Sequence, residues 1–321
     1  MKNTPLSNAH DKFFKEAFSR KEIACSFIRH YLPVQVNEQI DLTTLAILKD
    51  SFIDKDFKEN YSDMLYSINF SGKKSYIYLL VEHKSYQDIF TGFQLLRNMV
   101  KVWEQYRKEN EKSKILPLIL PLILYQGKSP WPFTTVMGHL FANIANMEAY
   151  IPEFKREVFE VVSLGDEQIT GNAMLQILLL AQKHVDSPII ATVLRKIMEL
   201  YIHATPPECD RNFLESTVRY LFATTNRKRH GEIEAVLSEY ARKGVVGVDS
   251  IADKLRHEGK LEGLEQGKLE GLEQGKIEGL EQGKINVAKK MIQKGMSNRE
   301  ISELIDLKED EVEMIRKKQR S

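Results

Sequence analysis

Two nearly unbroken apolar runs, separated by a helical pattern, constrain the fold of this chain more than any other feature. Residues 75–84 read SYIYLLVEHK, and residues 116–125 read LPLILPLILY. Such runs are typical of strands that are covered on both faces of a sheet. Between the runs, from Asp88 to about Glu109, apolar residues recur at helical spacing. One stripe of this helix contains Phe93, Leu96, Val100, Trp103 and Tyr106.

Weaker patterns on either side complete the predicted core. A helix is expected from Asn8 or Asp11 to the residue before Pro33. Strands are expected at 42–53, 61–70 and 156–164, with a tight turn at 71–74. The resulting order, helix, three strands, helix and strand, predicts an α/β core with a mixed sheet.

The chain of 321 residues divides by pattern into four segments. Residues 1–165 contain the α/β core, and residues 166–257 have the periodicity of a helical subdomain. Residues 258–285 form a glycine-rich repeat, and residues 286–321 form a tail of short helices. The chain is therefore expected to carry one α/β domain followed by helical segments.

The repeat has a period of eight residues, reading GKLEGLEQ, GKLEGLEQ and GKIEGLEQ, with glycine at every fourth position from 259 to 283. Each glycine inside a helix costs about 0.5–1 kcal/mol relative to alanine, whereas Leu, Glu and Lys favour the helix. The pattern predicts a marginal exposed helix that self-associates through its glycine row. A flexible linker is the alternative.

The tail has the succession of short helices and turns that is typical of a small helix-turn-helix unit. Gly295 ends a first helix, and Ser297 with Glu300 forms a capping box for a second. The third helix begins at 308–311 with Lys, Glu, Asp and Glu, which is acidic where a recognition helix would meet phosphates. We therefore expect a protein-interaction or self-association role for the tail in preference to sequence-specific DNA reading.

Composition narrows the class of protein. The two cysteines, Cys25 and Cys209, lie far apart and indicate a reducing compartment without a disulfide framework. The first residues, MKNTPLSNAHDKFF, contain no apolar stretch of signal-peptide length, and no apolar run is long enough to cross a membrane, so a cytoplasmic protein is expected. Residues 71–130 contain ten Lys or Arg and five acids. That surplus is compatible with phosphate contacts, and a solvated face of mixed charge explains it equally well.

The chemistry is expected at Asp63 and Glu82. A hairpin with a two-residue type II′ turn at Gly72-Lys73 would place these two carboxylates directly opposite each other. Carboxylates at that separation repel unless a proton or a cation lies between them. Mg²⁺ prefers oxygen ligands and retains several waters, so the pair predicts a magnesium site, with Mn²⁺ as the alternative ion.

Two neighbours of Glu82 extend this site. Lys84 lies two residues further along the strand, on the same face, where its charge would orient the attacking water and stabilise the phosphate. The backbone carbonyl of His83 would be another metal ligand. The pattern, Asp63 followed by Glu82 and Lys84, suits metal-assisted phosphodiester hydrolysis. A surface ion pair between Glu82 and Lys84 is the alternative interpretation.

Six short motifs lie between residue 10 and residue 127. They are His10-Asp11-x-x-Phe14-Lys15, Tyr31-Leu32-Pro33, Ser62-Asp63-Met64-Leu65-Tyr66, Leu80-Val81-Glu82-His83-Lys84-Ser85, Gln94-Leu95-Leu96-Arg97 and Leu120-Pro121-Leu122-Ile123-Leu124-Tyr125-Gln126-Gly127. Together these motifs resemble the Rpn/YhgA-like family of recombination-promoting nucleases, also labelled "putative transposase", within the PD-(D/E)XK nuclease superfamily. The resemblance covers roughly residues 8–250.

The resemblance implies an αβββαβ nuclease core in which Asp63 and Glu82 hold Mg²⁺. Lys84 occupies the last motif position, where relatives often carry Gln. The first helix of the superfamily often supplies another carboxylate, which would be Asp11 or Glu16 here, with His10 in the same opening motif. Other residues expected near the substrate are Gln94 and the DNA-binding cations Lys73, Lys74, Arg97 and Lys101. Asn98 replaces a frequent aromatic residue, a difference expected to affect packing alone.

The expected function is a Mg²⁺-dependent DNA endonuclease of low sequence specificity that acts in recombination or DNA mobility. DNA is the expected partner, beside self-association through the repeat and tail. Two alternatives remain open on the sequence: a catalytically silent DNA-binding or interaction protein on a nuclease scaffold, and a transposase that joins strands.

Overall fold

The structure is a computed structural model that describes residues 5–48, 63–82, 88–127, 130–133, 137–142, 146–185, 187–204, 210–245 and 247–320. Two compact units divide the chain, Met1–Ala252 and Asp253–Ser321. No helix in these ranges combines the length and the apolar character needed to cross a membrane.

Five strands, eleven α-helices and four short 3₁₀-helices make up the described elements. The strands are β1 (Ile40–Leu48), β2 (Met64–Phe70), β3 (Lys73–Glu82), β4 (Ile119–Tyr125) and β5 (Glu157–Glu160). The helices are α1 (Pro5–Phe18), α2 (Lys21–Tyr31), α3 (Val34–Asn37), α4 (Thr91–Glu109), α5 (Ala173–Lys183), α6 (Ile190–His203), α7 (Arg211–Thr224), α8 (His230–Arg242), α9 (Val248–Gln293), α10 (Asn298–Ile305) and α11 (Glu309–Arg320).

The five strands form one mixed sheet in the order β1-β2-β3-β4-β5. The pairs β1/β2 and β2/β3 are antiparallel, whereas β3/β4 and β4/β5 are parallel. The predicted α/β class and mixed sheet are therefore confirmed. The apolar run ending at Glu82 is the central strand β3, buried between two neighbours, as its composition indicated.

Helices cover both faces of the sheet. On one face, Tyr66 of β2 donates a hydrogen bond to the carbonyl of Phe18 at the end of α1 over 2.9 Å, and Phe27 of α2 packs edge-on against Phe159 of β5. On the other face, α4 packs on a buried cluster of the sheet. The cluster contains Leu65, Tyr76, Tyr78, Leu80, Leu95, Met99, Val102, Ile119, Ile123 and Tyr125.

The hairpin between β2 and β3 turns one residue earlier than predicted. Phe70 pairs with Lys73, so the two-residue loop is Ser71-Gly72, and both residues have positive φ, 46° and 77°. That combination suits a type I′ turn, and the predicted type II′ turn at Gly72-Lys73 is wrong. Gln39 holds Ser71 in this conformation: its carbonyl accepts the Ser71 amide over 2.7 Å, and its side chain accepts the Ser71 hydroxyl.

The single N-terminal helix that the sequence predicted is two helices. The chain leaves the helix at Ser19-Arg20, where Arg20 is extended with φ −97° and ψ 118°. The Arg20 guanidinium pairs with Asp210 over 2.6 Å, a contact with a residue far along the chain. At the break, the Ser19 hydroxyl donates to the Lys15 carbonyl over 2.6 Å, and the Arg20 carbonyl accepts the Ile23 and Ala24 amides at the start of α2. The predicted end before Pro33 is confirmed, because α2 ends at Tyr31.

Only part of the apolar stripe predicted for α4 faces the sheet. Leu95, Met99 and Val102 are buried there, whereas Phe93 is 51% exposed and Val100 is 40% exposed. Trp103 and Tyr106 of the predicted stripe are partly buried against the same cluster. The face that α4 presents to the sheet is therefore shifted from the predicted stripe, and it includes the buried polar residue Asn98.

The second unit contains a small core of its own. Ala288, Ile301 and Val312 are buried at its centre. Ser297 caps α10 in a capping box with Glu300, as predicted, and Gly295 has the positive φ of 82° expected after a helix end. The glycine-rich repeat lies within α9, so the described structure has the repeat as a helix.

Candidate functional site

Asp63 lies directly before β2, at the end of the strand that is remote from the hairpin turn. Met64 pairs with Leu79, and continuing that register aligns Asp63 with Leu80. The prediction that Asp63 faces Glu82 directly is therefore wrong, because the turn closes one residue earlier. Glu82 is two residues beyond Leu80, a diagonal neighbour on the same sheet face at about 7–8 Å. In this register the two positions lie further apart than predicted, but they remain on the same face of the sheet.

A buried chain of hydrogen bonds fixes the Asp63 side chain. Asp63 is 9% exposed. The Tyr78 hydroxyl of β3 donates to Asp63 Oδ2 over 2.5 Å, and Asn98 Nδ2 of α4 donates to the Tyr78 hydroxyl oxygen over 2.5 Å. One carboxylate oxygen is thus tied through β3 to the helix on that face of the sheet.

The Tyr78 proton remains on the phenol because its surroundings oppose ionisation. Burial raises the pKa of Tyr78 well above 10.0, and the charge of Asp63 and the hydrogen bond to Asp63 raise it further. The hydrogen bond from Asn98 and the charge of Arg97 act in the other direction. Tyr78 is therefore a permanent donor to Asp63 at physiological pH.

Tyr78 and Asn98 are site residues that the sequence argument missed. Asn98 was expected to affect packing alone, but it is 2% exposed and bonded to Tyr78. The available signal was a polar amide on the face of α4 that also carries Leu95 and Val102, since buried amides need partners. Tyr78 gave no such signal, because a tyrosine in an apolar strand is ordinary.

The remaining members of the predicted motif lie at or beyond the end of β3. Glu82 is the last residue of β3, and its backbone pairs with Tyr125 of β4; its side chain is not among the described side chains. His83 and Lys84 lie outside the described residues. Within the residues that the structure describes, no group of three or more His, Cys, Asp or Glu side chains is gathered to hold a metal ion.

The carboxyl ends of β3, β4 and β5 meet at one edge of the sheet. Tyr125 pairs with both Glu82 and Glu160. Glu160 accepts the backbone N–H of Trp131 over 3.1 Å and the hydroxyl of Ser163 over 2.7 Å. The Trp131 ring lies edge-on to Tyr125 with centroids 5.1 Å apart. Ligands of open α/β sheets bind at such an edge.

The residues expected from the first helix face different surroundings. His10 bonds to the Tyr220 hydroxyl of α7 over 2.8 Å, and Glu16 accepts the Ser216 hydroxyl over 2.6 Å. Both therefore join α1 to α7. Asp11 is 9% exposed and precedes the buried Phe14 by three residues, so the two lie on the same face of α1.

The expected substrate-binding residues are spread over the sheet and α4. Gln94 is half-buried and lies one turn before Asn98, and Arg97 is exposed on the outer face of α4. Lys101, one turn after Arg97, is half-buried. Lys73 and Lys74 begin β3, whereas Glu82 ends it, so about 30 Å of strand separates them from the carboxylate.

The fold and this site define an α/β protein with a mixed five-stranded sheet and a buried, hydrogen-bonded carboxylate at a strand end. The family described as "Putative transposase, YhgA-like" matches residues 8–208, which is more than half of the 321 residues. The chain belongs to this family. No solved structure shows a significant match.

Curated relatives share about a quarter of their residues with this chain. Recombination-promoting nuclease RpnA of Escherichia coli (strain K12) is 26% identical over 268 residues, covering 81% of this chain and 87% of the relative. Recombination-promoting nuclease RpnD of Escherichia coli O157:H7 is 25% identical over 261 residues, covering 80% and 98%. Inactive recombination-promoting nuclease-like protein RpnE of Escherichia coli (strain K12) is 24% identical over 274 residues, covering 83% and 87%.

Proposed function

We propose that this chain is a Mg²⁺-dependent DNA endonuclease of the PD-(D/E)XK class. It would act in the cytoplasm with low sequence specificity, in DNA recombination or mobility. The observation that carries the proposal is the buried Asp63 carboxylate, held by Tyr78 on the sheet face to which position 82 of β3 also belongs. Two of the relatives compared above are named recombination-promoting nucleases.

The proposed ligands fit a hard cation. The carboxylates of Asp63 and Glu82 and the carbonyl of His83 would hold Mg²⁺ through oxygen alone, as that ion prefers. When bound, the ion supplies an activated water and neutralises charge that develops on the phosphate. Asp63 is pre-oriented by the Tyr78 hydroxyl, so little reorganisation is needed on binding. Lys84 would orient the attacking water from the position after His83.

Plasmid nicking tests the proposal. Wild-type protein is incubated with supercoiled plasmid and Mg²⁺, beside Asp63→Ala, Glu82→Ala and the control Asp41→Asn. Asp41 lies in β1 of the same sheet, where it accepts the Thr43 hydroxyl. We expect nicking by wild type and by Asp41→Asn, and its loss in both alanine variants. Equal nicking by all four proteins would refute the assigned carboxylates.

A catalytically silent DNA-binding protein is the second candidate, and a specific observation favours it. RpnE, similar over 83% of this chain, carries the word "inactive" in its name. No nicking by wild type with Mg²⁺ or Mn²⁺, together with retained DNA in a gel shift, would identify this case. A transposase would instead produce joined strands, which the same gels resolve.

We also propose that the chain self-associates through the repeat and tail. Leu264, Leu269, Leu272 and Leu280 of α9 are between 61% and 71% exposed, and burying them against a second copy would remove apolar surface from water. The mass of the full chain in solution is compared with that of a chain lacking residues 259–321. An unchanged oligomer after deletion would exclude this role.

A further inference from the structure

Large apolar side chains and one cation follow the exposed face of α4, opposite the face that packs on the sheet. Phe90, directly before the helix, is 57% exposed, and Phe93 and Val100 are also exposed. Arg97 is exposed one turn after Phe93, and helical spacing places it on the same side of the helix. We call Phe90, Phe93, Arg97 and Val100 the outer stripe of α4. Exposed apolar surface of this kind is typical of an interaction site.

The outer stripe begins beside the edge of the sheet that carries the proposed nuclease site. Because β3 and β4 are parallel, α4 returns the chain and runs from their carboxyl edge toward their amino edge. Asn98 of α4 bonds to Tyr78, which holds Asp63. Phe93 lies five residues before Asn98, about 7–8 Å along the helix axis toward the carboxyl edge. Both rings of the outer stripe are therefore at the end of α4 that adjoins the site.

The charge of this part of α4 is positive. Residues 90–101 read FTGFQLLRNMVK and contain Arg97 and Lys101 but no acidic residue. Burial holds the pKa of Tyr78 well above 10.0, and the charge of Arg97 acts to lower it, so the field of Arg97 extends to the proposed site. DNA carries a negative phosphate at every linkage. The sign of the charge on this stretch is therefore complementary to nucleic acid.

A second copy of the chain fits the outer stripe less well. A symmetric dimer joins the same patch of both copies, so it would enclose two Arg97 side chains between apolar surfaces. Residues 90–101 offer no acidic partner for them, and burying an unpaired charge is costly. A nucleic acid instead offers bases to the rings and phosphates to the guanidinium.

Phenylalanine rings bind bases by stacking on their faces. Inside a duplex each base face is covered by the neighbouring base pair, so a base must leave the stack before a side chain can reach it. A single strand presents its bases without that cost. The exposed rings of Phe90 and Phe93 therefore favour DNA with unpaired bases over an intact duplex.

We propose that Phe90 and Phe93 stack on unpaired bases of a DNA strand while Arg97 contacts its phosphate backbone. This inference rests on the proposed nuclease function and names its substrate class, which is DNA with a single-stranded segment beside the point of cleavage. Stacking tolerates every base, because every base has a π-face. The contact therefore agrees with low sequence specificity.

Binding of labelled oligonucleotides to the full chain tests the proposal. EDTA withholds the metal, so that the DNA stays intact. Oligothymidine should bind more tightly than a blunt hairpin duplex of equal nucleotide count. Phe93→Ala should weaken oligothymidine binding about 5- to 150-fold, as expected for the loss of one stacked base, and leave duplex binding unchanged. Phe93→Tyr keeps a ring and should bind as wild type does. Tyr150→Ala, which removes an exposed ring in the segment before β5, is the control.

An abasic site that is moved along the oligothymidine identifies the stacked base. At one position it should weaken binding by wild type and add no further loss in Phe93→Ala, because the missing base and the missing ring are partners. Losses that add at every position would overturn the stacking contact. Equal weakening of duplex and oligothymidine binding by Phe93→Ala would overturn the preference for unpaired bases.

Salt dependence separates the role of Arg97 from that of the rings. Arg97→Gln should make the fall of log affinity with log salt concentration shallower by about 0.7, the contribution of one phosphate contact on a single strand. Phe93→Ala should leave this slope unchanged. Arg107→Gln is the matched control, because Arg107 is exposed on the same helix, about 15 Å further from the site. A slope that is the same in Arg97→Gln as in wild type would overturn the phosphate contact.

The outcomes separate this inference from the nuclease proposal. Plasmid nicking by wild type with unchanged oligothymidine binding by Phe93→Ala would remove the stacking contact and leave the nuclease. Weakened binding by Phe93→Ala without nicking by wild type under Mg²⁺ or Mn²⁺ would retain the stacking contact and remove the catalytic function. A lower mass in solution for Phe90→Ala/Phe93→Ala, with unchanged DNA binding, would assign the outer stripe to a second copy and overturn the proposal.

Discussion

At the residue scale, the hydroxyl of Tyr78 is the contact on which the proposed site most depends. It donates to Asp63 Oδ2 and accepts from Asn98, each over 2.5 Å, inside the sheet–helix interface. Because burial holds the pKa of Tyr78 well above 10.0, this donor does not titrate in the physiological range. Asp63 therefore keeps one orientation over the pH range in which a nuclease would act.

Replacing Tyr78 with Phe should lower both stability and cleavage. The change leaves a buried amide of Asn98 and a buried oxygen of Asp63 without this partner, so the free energy of unfolding should fall by about 1–3 kcal/mol. The cleavage rate should fall as Asp63 loses its orientation. Urea denaturation and plasmid nicking measure the two effects. Tyr150→Phe is the control, because Tyr150 is 81% exposed; equal behaviour of the two variants would contradict the assigned role.

At the element scale, sequence patterns predicted where strands and helices occur better than they predicted the pairing of strands or the packing of helices. The apolar runs located β3 and β4, and alternation located β2, because burial imposes these periods locally. The hairpin register could not be predicted, since it depends on Gln39 holding Ser71 at positive φ. Which face of α4 packs on the sheet could not be predicted either. The helix has two apolar stripes, and the amide of Asn98 can be buried because it bonds to Tyr78 in β3.

For the candidate site too, local features could be predicted from the sequence and long-range contacts could not. The Asp63 position and its sheet face could be predicted, because alternation along a strand is a local property. Its partners could not, since Tyr78 and Asn98 meet only when β3 and α4 pack together.

The glycine row of α9 gives a prediction at the same scale. An added Cβ at Gly271 or Gly275 meets nothing within 4 Å, so alanine at each should stabilise the helix by about 0.5–1 kcal/mol. Hydrogen exchange of the α9 amides should slow in the double variant. Gly295→Ala is the opposite case, since Gly295 has φ 82° and alanine is strained there. Faster exchange in Gly271→Ala/Gly275→Ala would contradict an exposed helix.

At the scale of the whole molecule, Asp166 joins the segment after β5 to the helices that follow. It accepts Lys183 Nζ over 2.6 Å and His184 Nε2 over 2.8 Å at the end of α5, and Lys196 of α6 lies 3.9 Å away. Burial acts to raise the pKa of Asp166, but the hydrogen bonds from Lys183 and His184 and their charges outweigh it, so the pKa lies below 3.8. The charged form is thus favoured by folding.

This shift predicts the pH dependence of stability. A carboxyl whose pKa is lower in the folded protein stabilises it above the unfolded pKa and loses that contribution as pH falls through the folded value. The difference in unfolding free energy between wild type and Asp166→Asn should therefore be largest above about pH 5 and shrink below pH 3.8. Urea denaturation across this range measures it. A difference that is constant with pH would contradict the assigned ion pairs.

The role of Asp63 as a metal ligand can be measured through the single-turnover rate of cleavage of a labelled DNA duplex as a function of Mg²⁺ concentration. Wild type and Asp41→Asn should cleave with the same metal dependence. Asp63→Asn keeps the size of the buried side chain and removes its charge, so its cleavage should be lost or should require far more Mg²⁺. Cleavage by Asp63→Asn at the wild-type rate and the wild-type Mg²⁺ concentration would contradict the assignment of Asp63 as the metal-binding carboxylate.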